Sequence, residues 1–428
     1  MSDAKTTIVG IHARQILDSR GRPTVEAEVT TAAGYFGRAS VPSGASTGRY
    51  EAVELRDGEP AHYGGLGVQR AVANVRTVIA PALRGLSVSD QAAIDRRLCE
   101  LDGTANKGRL GANALLSVSL ACAQAAAAAA QLPLWRYLDT EGHACLPLPM
   151  VNLISGGLHA GDNLDFQDFL LLPIGARSYS EALEMSVAVY RLLGEVLSEQ
   201  GYDGRLVGDE GGYGPRLPSN EAAAGAVLRA IERAGLIPGR DAGLALDVAA
   251  SHFYEQGRYV LASEGGRHLS SDEMVALLVR WSEQYPIFSI EDGLAETDES
   301  GWRSLTAALG DRVQLIGDDF FVTNPQRVQW GIAEKLANAV LVKVNQVGTL
   351  SEALQTLRLA RQAGWRAVVS ARSGETEDAF LADLAVASAA GQIKIGSVVR
   401  SERLAKYNQL LRIEEQMGQN APFANWKR

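Results

Sequence analysis

Cysteine is scarce in this chain of 428 residues, which has three, Cys99, Cys122 and Cys145. An odd count with no CxxC spacing argues against a disulfide framework and fits reduced core thiols of a cytoplasmic protein. Basic tracts are missing too. With a formal net charge of −9, the surface is a poor partner for nucleic acid or an anionic membrane, although a local basic pocket is still allowed. The opening MSDAKTTIVG lacks the charged-then-apolar layout of a secretion signal. The most apolar window, LLSVSLACAQAAAAAA, is too short and too Ala-rich to span a bilayer and reads as a buried helix. No GxGxxG follows any apolar run, which weakens a dinucleotide-binding fold.

What is present is ample apolar material, 46% of residues against 21% charged, enough for one large barrel domain with a smaller companion. The stretch TVEAEVTTAAGYFGRASV alternates apolar and polar positions around a Gly-containing turn, as hairpin strands do. Helical patterns follow, and the Pro-punctuated LPLPM at 146–150 marks a domain boundary. The expected division is an N-terminal α+β domain over 1–140 and a catalytic domain over 146–428.

Beyond residue 240 short apolar runs recur, each ending in polar residues: LALD at Asp247, IFSIED at Glu291, VQLIGDD at Asp318, AVLVKVNQ at Lys343, AVVSARS at Arg372 and IKIGS at Lys394. Capped helix-like segments lie between them, such as SSDEMVALLVRWSEQ and TLSEALQTLRLARQAG. Fully apolar strands alternating with helices describe a parallel sheet covered by helices, and this many repeats favour an α/β fold of the closed (β/α)8 barrel kind. Active sites of such barrels lie at the C-terminal strand ends, so these charged residues converge on one mouth.

Asp247, Glu291 and Asp318 bring three carboxylates to strand ends. Three close anions repel unless a cation sits among them, and an all-oxygen set favours Mg²⁺ over zinc. Lys343 and Lys394 face that cation, and a lysine beside a second ammonium and a metal is expected to have a depressed pKa suited to a base; either could instead pair with a neighbouring acid. Arg372 and Ser373 supply a fork and a hydroxyl for a phosphate-like anion. Upstream, LVGDEGGYG carries Glu210, a candidate general acid, and ISGGLHAGDNLDFQDF offers His159, Gln167 and Asp168.

Eight collinear motifs, DSRGRPTVEAEV, PSGASTG, GDEGGY, SIEDG, GDDFFVTNP, KVNQVG, RSGETED and AKYNQLLRIEE, resemble the enolase family across nearly the whole chain. The resemblance implies an enolase-type barrel with an irregular start, a smaller N-terminal domain and a homodimer or higher homo-oligomer. It implies Asp247, Glu291 and Asp318 as ligands of a first Mg²⁺ and Ser46 as a ligand of a second, giving two per active site. It makes Lys343 the base that removes the proton α to a carboxylate, and Glu210, with His159 and Asp168, the hydroxide-handling group. Gln167, Arg372, Ser373 and Lys394 then hold a small phosphorylated or phosphonylated acid.

The pattern departs from the family at Ala371, where a histidine is usual, at Asp168, where a glutamate is usual, and at Ser155 and Ile395. A lost acid/base group costs roughly 10²- to 10⁴-fold in rate, and both main departures fall on the hydroxide side. The first expectation is therefore a diverged paralogue acting on a modified substrate, such as carboxyphosphonoenolpyruvate synthase, with an open space beside Ala371 continuous with the anion pocket. The alternatives are an ordinary enolase, acting on 2-phosphoglycerate, and a non-catalytic binding protein on the same scaffold.

Overall fold

The computed structural model describes residues 5–44 and 48–426. The alternating segment near the start forms an antiparallel sheet of β1 (Ile8–Leu17), β2 (Pro23–Thr31) and β3 (Phe36–Ser40). In β2 buried positions alternate with half-buried ones from Val25 onward, as a sheet with one covered face requires. The cover is the Ala-rich helix Ala112–Ala130, which packs on β2 and β3. Among the described residues it is the one helix long and apolar enough to cross a membrane, and it is mostly buried in the protein.

The apolar runs close into a barrel. Its strands are β4 (Leu148–Ser155), β5 (Asp168–Leu172) and β6 (Gly243–Asp247), followed, after a small outer sheet of β7 (Tyr254–Glu255), β8 (Arg258–Leu261) and β9 (Arg267–Leu269), by five more. These are β10 (Ile287–Glu291), β11 (Gln314–Gly317), β12 (Ala339–Val342), β13 (Arg366–Ser370) and β14 (Gly391–Gly396), and β14 returns to pair with β4. The architecture is the expected α/β barrel with a smaller N-terminal domain. Helices between strands start on the expected caps: Ser270 and Glu273 form a reciprocal capping box, and Thr349 caps the helix Leu350–Gln362. Leu148, Met150, Leu170, Leu172, Phe288 and Ile316 fill the barrel's interior.

One strand runs against the rest. β5 is antiparallel to both β4 and β6, whereas the other pairings are parallel. Its first residue, Asp168, therefore lies at the end where the parallel strands finish, in register with Ser155 and Asp247.

A buried carboxylate joins the two parts of the chain. Asp95, on the helix Gln91–Asp102, accepts from Ser119 Oγ at 2.6 Å and from the Ser351 amide and hydroxyl at 2.9 and 2.6 Å, so it reaches the barrel helix Leu350–Gln362. Asp95→Ala removes the acceptor of four donors, the Gln91 side-chain amide included, and should cost about 1.5–3 kcal/mol. The first unfolding transition in urea should move to lower concentration by that energy divided by its m-value.

Candidate active site

The parallel strands are largely apolar, and the charged residues that end or follow them are set at the mouth. Asp247 and Glu291 end β6 and β10, Asp318 and Lys343 follow β11 and β12 directly, Arg372 and Ser373 follow β13, and Lys394 lies within β14. All of these but Lys343 are buried, and Lys343 is nearly so. A single small cavity, about 20 Å³, is lined by Lys343, Glu210, Arg372, Ser373, Lys394 and Gln167 together with Ala371. That volume suits about one water molecule.

The carboxylates meet cations of the chain itself. The Lys394 ammonium donates to Asp247 at 2.7 Å and to both oxygens of Glu291 at 2.9 and 2.8 Å, and Lys343 donates to Asp318. Burial and the neighbouring Asp247 push Glu291 well above the usual carboxylate range, so this oxygen set demands positive charge. The donor chemistry fits a hard divalent cation: the positions now held by ammonium groups are all-oxygen cradles. Ser46, expected at a second cation, lies outside the described residues.

The lysines differ from expectation. Burial opposes their charge, but Asp318 outweighs it at Lys343, and Asp247 and Glu291 at Lys394, so both are raised and not lowered. The depressed value expected from the sequence presupposes a metal taking up those same carboxylates.

On the other side of the mouth, His159 Nδ1 lies 3.0 Å from Asp168 Oδ2, and His159, Asp168 and Glu210 each offer an atom within 4.8 Å of the others. Burial works against the His159 charge, but Asp168, Glu210 and Asp247 overcome it and lift the imidazole to about 9. Burial would likewise raise Glu210, but His159, Arg403 and Lys394 hold it below the usual range. Gln167 donates to Asp247 at 3.0 Å, and its own buried carbonyl oxygen has no partner among the described residues. A buried acceptor of that kind awaits a donor from a ligand or water.

Several site residues escape sequence reasoning. Glu51, from the N-terminal domain, takes a bidentate pair of bonds from Arg372 at 3.1 and 3.2 Å. Arg20 donates to Ser373 Oγ at 3.1 Å and to the Gly44 carbonyl at 2.9 Å. Arg20 sat inside the DSRGRP motif, but nothing local predicts that it reaches a residue 353 positions away. A Cβ at Gly374 would lie 2.5 Å from the Asp18 and Ser43 side chains, so only glycine lets the two domains meet here. Asp292, held at φ 42° just past β10, accepts the backbone amides of Asp318 and Asp319 at 2.9 and 2.8 Å and so aims the Asp318 carboxylate.

The chain is similar to known proteins along its length. The family model described as the enolase C-terminal TIM barrel domain matches residues 143–428, and that for the enolase N-terminal domain matches 8–138. A curated protein named Enolase, from Rubrobacter xylanophilus, is 56% identical over 418 residues, 98% of this chain and 97% of that protein. The chain belongs to the enolase family. It is an enzyme, a carbon–oxygen lyase built on a TIM barrel.

This overturns the expectation of a diverged paralogue of the carboxyphosphonoenolpyruvate synthase kind, because identity at that level over both domains points to ordinary enolase. Ala371 brings no imidazole to the mouth, while His159, already in the expected hydroxide-handling group, is paired with Asp168. The methylene missing from Asp168 leaves that carboxylate within reach of both His159 and Asn152.

The His159 proton has a consequence for stability. Because the folded value of about 9 lies above the ordinary 6.5, this group stabilises the fold fully below pH 6.5 and loses that contribution as pH rises through about 9. The term is on the order of 3 kcal/mol. In metal-depleted protein the urea midpoint should fall across that window, and His159→Gln should flatten the fall.

Proposed function

We propose that the chain is an ordinary phosphopyruvate hydratase, converting 2-phosphoglycerate to phosphoenolpyruvate and water with two Mg²⁺ per site. The observation that carries the reading is that a basic side chain, Lys343, an acidic one, Glu210, and the anion-binding set Arg372, Ser373 and Lys394 line one cavity. The same reading carries a cytoplasmic, homodimeric protein.

A proton next to a carboxylate is very weakly acidic, because its removal adds charge to a group already anionic. When held by Asp247, Glu291 and Asp318, Mg²⁺ supplies the positive charge that makes this tolerable. Arg372 and Ser373 fix the phosphoryl group, Arg372 through its planar fork. Gln167 offers its carbonyl oxygen, without a partner among the described residues, to a substrate hydroxyl. Lys343 would act as the base once Asp318 is engaged by the cation: its ammonium, no longer held by that carboxylate, loses a proton to solvent, and the neutral amine takes the C2 proton. Glu210, ionised at rest beside His159, then passes to the departing hydroxide a proton drawn from His159, which holds its own up to about pH 9. Burial of the whole set strengthens each of these interactions.

Incubation with Mg²⁺ and 2-phosphoglycerate should produce phosphoenolpyruvate, seen by its absorbance, at a turnover on the order of 10 s⁻¹ or more, and chelation should abolish it. No product from a folded, metal-loaded protein would remove the proposal.

The two half-reactions should separate. Lys343→Ala should lose about 10²–10⁴-fold in kcat together with exchange of the C2 proton in D₂O. Glu210→Gln should lose turnover to a similar extent while retaining that exchange.

A further inference from the structure

Two buried cations are given no step in the chemistry above. Arg403 and Lys406 lie on the helix Ser401–Met417, with 0% and 1% of their surfaces exposed. Burying a guanidinium is costly, and an apolar side chain of similar size would fill the same space more cheaply. What an apolar side chain could not do is bind the acceptors that Arg403 holds. It donates to the Arg372 carbonyl at 2.6 Å, the Ser373 carbonyl at 2.6 Å and the Ile395 carbonyl at 3.0 Å.

Those carbonyls belong to the two segments that carry the anion-binding side chains: Arg372 and Ser373 after β13, and Lys394, whose peptide neighbour is Ile395, on β14. Surrounding contacts fix the same segments. Lys406 pairs with Glu375 at 2.8 Å, while the other oxygen of Glu375 accepts the Arg372 amide at 3.1 Å. Tyr407 donates its hydroxyl to the Gly396 carbonyl at 2.9 Å. The third loop is reached by packing: a Cβ at Gly396 would lie 3.1 Å from Arg403 Cδ and 2.9 Å from the Glu210 carbonyl, and that carbonyl accepts the Ser397 amide at 2.9 Å.

We infer that Arg403 is a positioning residue for the anion cradle, whose rigid fork sets the spacing between the Arg372–Ser373 loop, Lys394 and the Glu210 loop. The inference rests on the reading of that cavity as the seat of the phosphoryl group. A lysine would keep the charge but lose the fork, since an ammonium is a point donor on a flexible stem. Misplacement by about 1 Å can cost roughly a hundredfold in rate. Arg403 itself bonds none of the carboxylates of Asp247, Glu291 and Asp318, and it meets the first two only through Lys394.

The test compares wild type, Arg403→Lys, Tyr407→Phe and Tyr179→Phe, the last removing a buried hydroxyl bond of 3.1 Å to the Tyr407 carbonyl on the same helix without touching either loop. Folding is checked by thermal unfolding. The KM for 2-phosphoglycerate and the Mg²⁺ activation constant are then measured separately. Arg403→Lys should raise KM about tenfold or more with the Mg²⁺ constant changed less than about twofold, and Tyr179→Phe should change neither. If Arg403→Lys does not fold, Tyr407→Phe decides, with a rise in KM of a few-fold at an unchanged Mg²⁺ constant. A folded Arg403→Lys, or Tyr407→Phe in its place, that leaves KM alone or shifts both constants together overturns the inference. Wild-type protein that makes no phosphoenolpyruvate overturns the proposed reaction instead, and inorganic phosphate binding by calorimetry, tighter in wild type than in Arg403→Lys, then tests the positioning role by itself.

Discussion

Buried carboxylates without enough positive charge are the constraint on which the mouth of this barrel depends. Asp247, Glu291 and Asp318 are withdrawn from water and would repel one another at a cost the fold could not bear. Lys394 and Lys343 balance them from within. The same need explains why both ammonium groups titrate upward, and why the oxygen set suits a hard cation that could take over their place.

The second constraint is topological. Reversing β5 turns a strand beginning into a mouth position, and Asp168 thereby joins His159 and Glu210 opposite the lysines. The mouth then has two chemical sides: one of carboxylates and ammonium groups, suited to holding a cation and removing a proton, and one built around a protonated imidazole. In this family such a division is what an elimination of water requires, since one group must accept a proton and another must give one.

Much of this was legible in the residues. Strand-end positions such as Asp247, Glu291 and Asp318 could be read because apolar runs stop there and the parallel barrel carries each stop to one rim. The direction of β5 could not, because DFLLL reads alike in either sense. Glu51 and Arg20 were hidden by distance along the chain, and Asp292 by a backbone torsion that no local pattern for aspartate announces. The weight placed on Ala371 and Asp168 was misjudged for a related reason. Counting lost groups one position at a time missed that His159 and Asn152 already surround Asp168.

The bidentate grip of Glu51 on Arg372 has a further meaning. Before any guest arrives the guanidinium already has a carboxylate for company, so chloride or another singly charged visitor gains little by entering. On the proposed reading of this cavity, a guest with several anionic oxygens to share among the fork, the Ser373 hydroxyl and the Lys394 ammonium would displace that carboxylate where a singly charged one would not.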